Sequence, residues 1–293
     1  MWIFFSVLSV LLFVTVNIID KYVLTKWIKQ PFVLVLLLGI FNWISGVVIY
    51  LIRGFPYLSP SNIIFALTAG VFSLMASIFL YRALKIEDVS RVTPLLYLST
   101  LFVSFFAAIF LGEIFTPLRY LGIFLLVIGA IFVSSKNPLR LGFSKALPLM
   151  ILSALSAAIS ALLVKYVLNF TDYLTVFTCL RMGGGFASIP IAYIYLPSLI
   201  STVKKYGKKF IITVTVDEVI NIIAMFFLVM AISIGYVTLV SAIVAIQPFF
   251  ILLFTVILSM FFPSIIKEEI KKSVVLVKLL AIVTMFIGVI LIT

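Results

Sequence analysis

The sequence has no histidine and only one cysteine, and these scarcities exclude several kinds of site. Cys179 has no second cysteine with which to form an intramolecular disulfide, and without histidine neither a Cys/His metal site nor a histidine-based triad is possible. A glycine-rich phosphate loop is also missing. An enzyme is therefore the weakest interpretation, because only buried acids remain for acid/base chemistry. We predict a protein that is not an enzyme and has no cofactor or bound metal.

Charged residues are scarce too, and this places the chain outside the soluble class. They make up 10% of the sequence, against 65% apolar residues and a mean hydropathy of +1.39, whereas soluble domains have about 25% charged residues. The composition predicts a polytopic membrane protein whose main partner is the lipid bilayer. The net charge of +12 does not predict nucleic-acid binding, because the basic residues lie in short loops between apolar runs.

Ten apolar runs are long enough to cross a hydrocarbon core of about 30 Å at about 1.5 Å per residue. They are long and not alternating, so they predict helices rather than the strands of a barrel. The first run lacks a basic leader, and we expect it to remain as a span. The predicted spans are Trp2–Leu24, Phe32–Ile52, Asn62–Leu84, Val92–Leu111, Leu118–Ser134, Ala146–Leu168, Tyr173–Leu196, Phe210–Ile234, Tyr236–Phe262 and Val274–Thr293.

The chain contains an internal duplication on either side of a polar connector at residues 136–145. The segment Leu8–Leu11 recurs as Leu152–Leu155, and Lys21–Leu24 recurs as Lys165–Leu168 at the same spacing. The predicted organisation is therefore one five-helix repeat over residues 1–135, a cytoplasmic connector, and a second five-helix repeat over residues 146–293.

The basic residues predict the orientation of the chain in the membrane. Most of the 21 lysines and arginines fall in the odd-numbered loops, whereas the even-numbered loops hold only Arg53, Arg119 and Lys165. Because basic loops stay in the cytoplasm, both termini are predicted to be extracytoplasmic, with the plasma membrane as the expected location.

The charge bias between equivalent loops also changes from one half to the other. The loop after the first helix is more basic than the next loop in the first half, and less basic in the second half. Two five-helix repeats of opposite orientation account for this change. The predicted fold class is thus an all-α membrane protein with ten transmembrane helices arranged as two inverted five-helix repeats. In such proteins the substrate site lies near the midplane, between the repeats.

Short motifs in order along the first half give the chain a family resemblance. The segment Tyr81–Leu84 has a counterpart at Met230–Ile232, and Leu111-Gly112-Glu113 is followed by Thr116-Pro117 and by two glycines at helix spacing. Together these resemble the EamA-type repeat of the drug/metabolite transporter superfamily. The resemblance implies a secondary transporter and extends over nearly the whole chain.

The second repeat departs from the pattern of that family. Pro248 matches the family proline of the fourth helix, whereas the aligned position in the first repeat is Thr100. The Leu-Gly-Glu motif of the first repeat has no counterpart at residues 259–262 of the second. The arginine of the second helix is matched by Arg181 alone, with an apolar stretch around Gly39 in the first repeat. We therefore expect an asymmetric site.

Ionisable residues inside the spans are the main functional candidates, because each costs about 2.5–3.5 kcal/mol on insertion scales. They are Arg181, Asp217 and Glu218, with Asn221 one helical turn from both acids. One interpretation is a structural ion pair between Arg181 and one acid. The other places one acid in the cavity as the proton-coupling group, with Arg181 and Asn221 binding substrate.

Further polar residues at depth are candidates for substrate contact. Asn42 and Trp43 lie in the middle of the second span, Tyr97 in the fourth, and Gln247 before Pro248 in the ninth. Interhelical hydrogen bonding is the alternative for each of them. Residues 183–185 form a glycine triplet, for which close packing and a rocking hinge are both open interpretations.

These observations predict a secondary active transporter, with export as the expected direction, of small metabolites or amino-acid-like solutes. Access would alternate between the two sides, protons are the candidate coupling ion, and the chain is expected to be a monomer or weak homodimer. The alternative is a lipid-carrier flippase of the same superfamily, which predicts a groove open to the lipid.

Overall fold

The computed structural model is helical throughout the part of the chain that it describes, without a strand there. The described residues are 1–28, 30–54, 58–86, 93–134, 146–247, 249–251, 253–254 and 272–292. The predicted connector at residues 136–145 lies outside them, as does Pro248. The helices are α1 (Trp2–Lys26), α2 (Pro31–Arg53), α3 (Pro60–Ile86), a 3-10 helix (Thr93–Tyr97), α4 (Leu98–Phe110), α5 (Pro117–Ser134), α6 (Leu147–Val167), α7 (Tyr173–Ala187), α8 (Ile189–Ile234), α9 (Val237–Val244) and α10 (Lys272–Ile292).

The largest difference from the sequence prediction lies between residues 173 and 234. The predicted seventh span is divided at Ser188, and the lysine-rich segment predicted as a loop is helical and belongs to α8. Lysine is a good helix former when its side chain reaches solvent, so a basic run need not end a helix. The break falls at Gly207, whose φ of 60° and ψ of −145° are not helical. It separates two helical arms, residues 189–206 and 208–234.

Two other predicted spans are also subdivided. The fourth begins with the 3-10 helix before α4, and α9 ends at Val244, three residues before Gln247. Residues 245 and 246 form a turn, and Gln247 is helical again. Pro248 has no N–H to donate to the carbonyl of Val244, four residues earlier, and this missing hydrogen bond accounts for the interruption. The predicted Tyr236–Phe262 span is thus shorter in its described part, and its end lies outside the described residues.

Helix packing brings the first and second halves of the chain together. α5 packs on α10, α3 on α6 and α7, and α2 on α7. The 208–234 arm of α8 runs along α1, as shown by the hydrogen bond that Ser9 Oγ donates to Ala224 O at 2.9 Å. The interface between the halves is therefore extensive and contains most of the buried polar groups.

Among the described residues, five helices are long and apolar enough to cross a membrane: α1, α2, α3, α6 and α8. Shorter apolar helices occur at Leu95–Phe110, Pro117–Phe132, Val237–Ile251 and Leu280–Ile292. Many large apolar side chains on these helices are exposed, among them Leu51, Ile52, Phe110 and Ile290. Lipid contact explains this exposure. The number of ten spans remains a prediction.

Candidate functional site

Three carboxyl groups and a tyrosine meet where α1, α3 and α8 come together, in what we call the carboxyl cluster: Asp20, Tyr81, Asp217 and Glu218. Tyr81 donates a hydrogen bond from Oη to Asp20 Oδ2 at 3.3 Å. The Asp20 and Asp217 carboxyls lie within hydrogen-bonding reach of each other. A carboxyl can donate only when it is protonated, so this contact requires a proton between the two acids.

Tyr81, Asp217 and Glu218 are buried, Asp20 is half-buried, and the cluster lies near one end of the bundle. Asp217 and Glu218 are 2% and 1% exposed. Asp20 lies six residues before the end of α1, and Asp217 lies ten residues after Gly207, which corresponds to depths of about 9 and 15 Å. The same end carries Trp27, whose ring centroid lies 6.1 Å from that of Tyr206 beside the lysines of α8. We call it the basic end.

Glu218 differs from Asp217 in its partners. Asn221 Nδ2 donates to Glu218 Oε2 at 3.2 Å, which settles that Asn221 shares a face with Glu218. Asp217 Oδ1, by contrast, is buried without a hydrogen-bond partner. Two neighbouring acids on one helix therefore have different environments, as expected for residues about 100° apart around the axis.

Arg181 does not pair directly with either acid, and in this respect the ion-pair interpretation is corrected. Its Nε donates to Ser45 Oγ at 2.8 Å, and its guanidinium lies 5.9 Å from the ring centroid of Phe177. Glu218 interacts with it only through the electrostatic field, and within the described residues the ion pair observed is Arg53–Asp172. The reason is that α2 supplies a hydroxyl nearer to the guanidinium. Arg181 is 4% exposed, and its Nη2 has no partner.

The glycine triplet is a packing seam between helices. α7 continues through it as a helix from Tyr173 to Ala187. A Cβ at Gly183 would collide with the backbone of Leu67 on α3, and a Cβ at Gly184 would lie 2.6 Å from Nδ2 of Asn42. Close packing therefore explains the triplet, and the only non-helical residue within the described helices nearby is Gly207.

The seam also shows where two predicted contact residues lie. Asn42 packs at Gly184, and Trp43 packs at Gly185 and against Phe186, with ring centroids 4.5 Å apart. Both therefore lie on the α2–α7 interface with Arg181. Their packing role is visible, whereas their contact with substrate remains a prediction.

Tyr97 and Gln247 lie elsewhere in the fold. Tyr97 is buried in a core formed by α5, α9 and α10, with Leu126 and Ile243. Gln247 is half-buried between residues that pack against the same core. The predicted contact residues are thus divided between two regions, and Arg181, Asn42, Trp43, Asp217, Glu218 and Asn221 are the ones near the charged groups.

Sequence reasoning missed three members of this site. Asp20 is an acid inside a predicted span, and this signal alone was sufficient to include it. Tyr81 and Ser45 carried no such signal, because a tyrosine and a serine in a membrane helix are common and their partners lie far away in sequence. Ser45 comes from α2 and Arg181 from α7, a pairing that only the fold defines.

A second group of buried charges lies at the opposite end, at the junction of α8 and α9. Glu113 accepts hydrogen bonds from the backbone N–H groups of Val237 at 2.9 Å and Thr238 at 3.0 Å. Lys165 donates from Nζ to the carbonyls of Ile232 at 3.0 Å and Gly235 at 2.6 Å. An acid at a helix start and a base at a helix end match the helix dipoles. We call Glu113 and Lys165 the helix-end clamp.

An exposed ion pair joins α2 to the start of α7 at this same end. Arg53 Nη1 donates to Asp172 Oδ1 at 2.6 Å, and Asp172 caps α7 by accepting from the N–H groups of Leu174 and Thr175. Partial burial alone would raise the pKa of Asp172, but the hydrogen bonds from Arg53 and Thr175 outweigh burial and bring this pKa down to about 2.

Among the cavities that open from the described surface, three adjoin features described above. An apolar one of about 420 Å³ lies between α3, α4 and α6, and one of about 310 Å³ lies at the basic end beside Trp27 and Lys205. The third, of about 400 Å³, adjoins the helix-end clamp. No group of histidine, cysteine, aspartate and glutamate side chains that could hold a metal ion occurs among the described residues.

Comparison with known proteins supports the fold and the family. A crystal structure, described only as that of a protein, superposes with a TM-score of 0.71 at 15% identity, covering 99% of this chain and 98% of that chain. At this identity the likeness shows the fold alone. No curated protein matches the chain. The model of the EamA-like transporter family matches residues 1–135. The family resemblance predicted from the sequence is therefore confirmed over residues 1–135, and this match is consistent with the drug/metabolite transporter superfamily.

Proposed function

We propose that the chain is a secondary active transporter that moves small polar metabolites across the membrane by alternating access. One observation carries the proposal: ionisable groups from both halves, buried or half-buried, meet at the interface between the halves. Asp20 and Tyr81 come from the first half, and Arg181, Asp217 and Glu218 come from the second. In transporters built from repeats, this interface holds the substrate and the coupling ion.

Helix packing supports the inverted-repeat arrangement. In an inverted repeat, α1–α5 correspond in order to α6–α10. Exchanging the halves then turns the α3–α6 packing into α8–α1, and the α4–α6 packing into α9–α1. All four packings occur. The pairs α2–α7, α4–α9 and α5–α10 map onto themselves and also occur. Such a pattern fits two halves that rock against each other about a shared interface.

Arg181 is the group we assign to the substrate. Its Nη2 is buried without a partner, and a buried donor left unpaired costs about 1–3 kcal/mol or more. An anionic group of a solute, such as a carboxylate, would satisfy it with a charge-assisted hydrogen bond. This favours amino-acid-like and other small acidic metabolites, with Asn42 and Trp43 on the neighbouring helix as candidate contacts.

Reconstitution tests the proposal. Purified protein in proteoliposomes is offered a panel of labelled metabolites, with and without a pH gradient. We expect accumulation of one class of small anionic or zwitterionic solutes that is lost in Arg181→Gln. Arg119→Gln, which removes an arginine that lies outside the interface, is the matched control and should transport normally. Absence of uptake or efflux for every panel member in the wild type would contradict the proposal.

The orientation that we propose, with both termini extracytoplasmic, is supported by the distribution of basic residues. Lys26, Arg82 and the lysines of α8 adjoin the basic end, where Arg82 stacks on Phe32 and Trp27 on Tyr206. Reporter fusions after Lys145 should be cytoplasmic and fusions at Thr293 extracytoplasmic. A cytoplasmic reporter at Thr293 would overturn the orientation.

The apolar cavity favours a second candidate function, a lipid-carrier flippase. It is lined by eight apolar or aromatic side chains: Phe65, Phe106, Phe110, Leu111, Ile159, Leu162, Leu163 and Tyr166. Several of these are exposed and would face lipid. Phe106→Ala/Ile159→Ala tests the alternative: loss of transport of a polyprenyl-phosphate lipid would support it, whereas unchanged transport of small solutes supports the first proposal.

A further inference from the structure

The Asp20–Asp217 contact makes a specific proton site within the carboxyl cluster. Asp217 is buried and Asp20 is half-buried. Two carboxyls in contact at such a site share one proton, because two carboxylates in contact repel each other where the dielectric is low. Tyr81 donates to Asp20 Oδ2 at 3.3 Å, so that oxygen has a donor already. Asp217 Oδ1 is buried and has no partner, which leaves an acceptor open on the acid of the second half.

The other groups around the pair set its charge. Tyr81 approaches from α3, Glu218 from α8 itself, and Arg181 from α7 through its electrostatic interaction with Glu218. α9 contains no titratable side chain over Val237–Val244. Lys165 from α6 binds the far end of α8, and Glu113 from the loop after α4 binds the start of α9.

These contacts assign different roles to the neighbouring acids. The positive charge of Arg181 interacts electrostatically with the carboxyl of Glu218. Asn221 Nδ2 donates a hydrogen bond to that carboxyl at 3.2 Å. Among the described side chains, Asp20 and Asp217 then have no cation beside them. One shared proton lowers the negative charge of the pair from two to one. We propose that the Asp20–Asp217 pair, with Tyr81 as its donor, is the proton-binding site of this transporter, and that Glu218 is the counter-charge of Arg181.

The geometry also explains how a proton on this pair responds to movement of the halves. Asp20 belongs to α1 of the first half and Asp217 to α8 of the second, so separating the two helices breaks the carboxyl–carboxyl hydrogen bond. Asp217 Oδ1 then meets water or substrate instead of its partner, and the shared proton is released. This inference rests on the proposed transport function, and it adds the coupling ion and the acids that carry it.

Infrared difference spectroscopy of the purified protein at neutral pH tests the site without a substrate. We expect the wild type to show the C=O band of a protonated carboxyl that shifts in heavy water. Asp20→Asn/Asp217→Asn should lose the intensity of one such group, because an amide replaces the shared proton with its own N–H donor. The matched control Glu218→Gln should retain this component of the spectrum.

Each outcome separates this site from its alternatives. Identical protonated-carboxyl bands in the double variant and the wild type would overturn the proposal. Loss of the band in Glu218→Gln, but not in the double variant, would show that Glu218 carries the proton, and this would also overturn the proposal. A band that disappears when sodium chloride replaces choline chloride would assign the pair to Na⁺ rather than to a proton. If the wild type transports solutes but shows no protonated-carboxyl band, the proton site is refuted and the proposed function still stands.

Discussion

The helix-end clamp and the carboxyl cluster both bury charged side chains, but they differ in how those charges are satisfied. In the clamp, Glu113 accepts from two backbone N–H groups and Lys165 donates to two carbonyls. In the cluster, Asp217 Oδ1 has no partner, and neither has Nη2 of nearby Arg181. The charged groups of the clamp are hydrogen-bonded without a ligand, and the unpartnered group beside them is the neutral hydroxyl of Thr238. In and beside the cluster, the open positions are on ionisable groups.

This difference distinguishes structural from functional charge in one molecule. A buried charge with all its hydrogen bonds made stabilises the arrangement around it, and its removal leaves unpaired groups behind. A buried charge with open hydrogen-bonding positions costs stability and persists where binding requires it. The clamp should therefore respond to mutation in stability, and the cluster in transport.

The largest loss of stability is expected from Glu113→Ala. It leaves the N–H groups of Val237 and Thr238 buried without an acceptor, at about 1–3 kcal/mol for each group. Thermal unfolding in detergent should show a marked fall in the unfolding midpoint. Glu113→Gln, which keeps one acceptor oxygen, should recover part of the loss. An unchanged midpoint in Glu113→Ala would show that the clamp does not hold the α8–α9 junction.

A smaller loss is expected from the seam that positions Arg181. Gly183→Ala drives a methyl group into the Leu67 backbone, and such overpacking costs about 1–3 kcal/mol. Gly184→Ala is the matched control, because there the new methyl group collides with the end of the Asn42 side chain, which can turn away, and meets the Gly70 carbonyl only at an ordinary contact distance of 3.4 Å. The gain in helix propensity of about 1 kcal/mol offsets that adjustment. Equal unfolding midpoints for the two variants would show that close packing of Gly183 on Leu67 does not contribute to stability.

The smallest effect is expected at the exposed pair of Arg53 and Asp172. Exposed pairs contribute less than about 1 kcal/mol, so Asp172→Asn, which keeps a helix-capping oxygen, should change the midpoint little at neutral pH. The pKa of Asp172 is about 2 in the folded chain and about 3.9 when unfolded. Its contribution is therefore complete above about pH 4 and lost as the pH falls towards 2.

This pH dependence has its own control. A series of unfolding midpoints between pH 2 and pH 5 should fall more steeply in the wild type than in Asp172→Asn. Arg53→Gln should fall in between, because the Thr175 hydrogen bonds to Asp172 remain. Parallel curves for wild type and Asp172→Asn would show that this carboxyl does not couple folding to pH.

The sequence predicted the class of fold well because its strongest signals are long-range averages. Apolar runs located the helices, and the Leu-Gly-Glu motif anticipated the family that matches residues 1–135. The lysines of α8 were misread as a loop, because charge indicates exposure to water and not the end of a helix. Gly207, where the helix breaks, is an isolated glycine between lysines and gave no distinctive signal.

The site was predicted only in part, for a reason that is also physical. Arg181, Asp217 and Glu218 were found because a charge inside a membrane span is conspicuous in the sequence. Ser45 was not found, because it is an ordinary serine, and Asp20 was overlooked although it is an acid inside a predicted span. The expected ion pair failed for the same reason: whether an arginine meets an acid or a hydroxyl depends on how α2 and α8 approach α7.

The unfolding midpoint of Asp217→Asn, measured beside that of Glu113→Ala in the same detergent, tests the distinction between cluster and clamp most directly. The amide can donate to Asp20 in place of the shared proton, and it removes a buried charge-bearing group that lacks full hydrogen bonding. We therefore predict a midpoint equal to or above that of the wild type, while Glu113→Ala falls well below it. A midpoint for Asp217→Asn as low as that of Glu113→Ala would contradict the account, because the carboxyl cluster would then hold the fold together just as the clamp does.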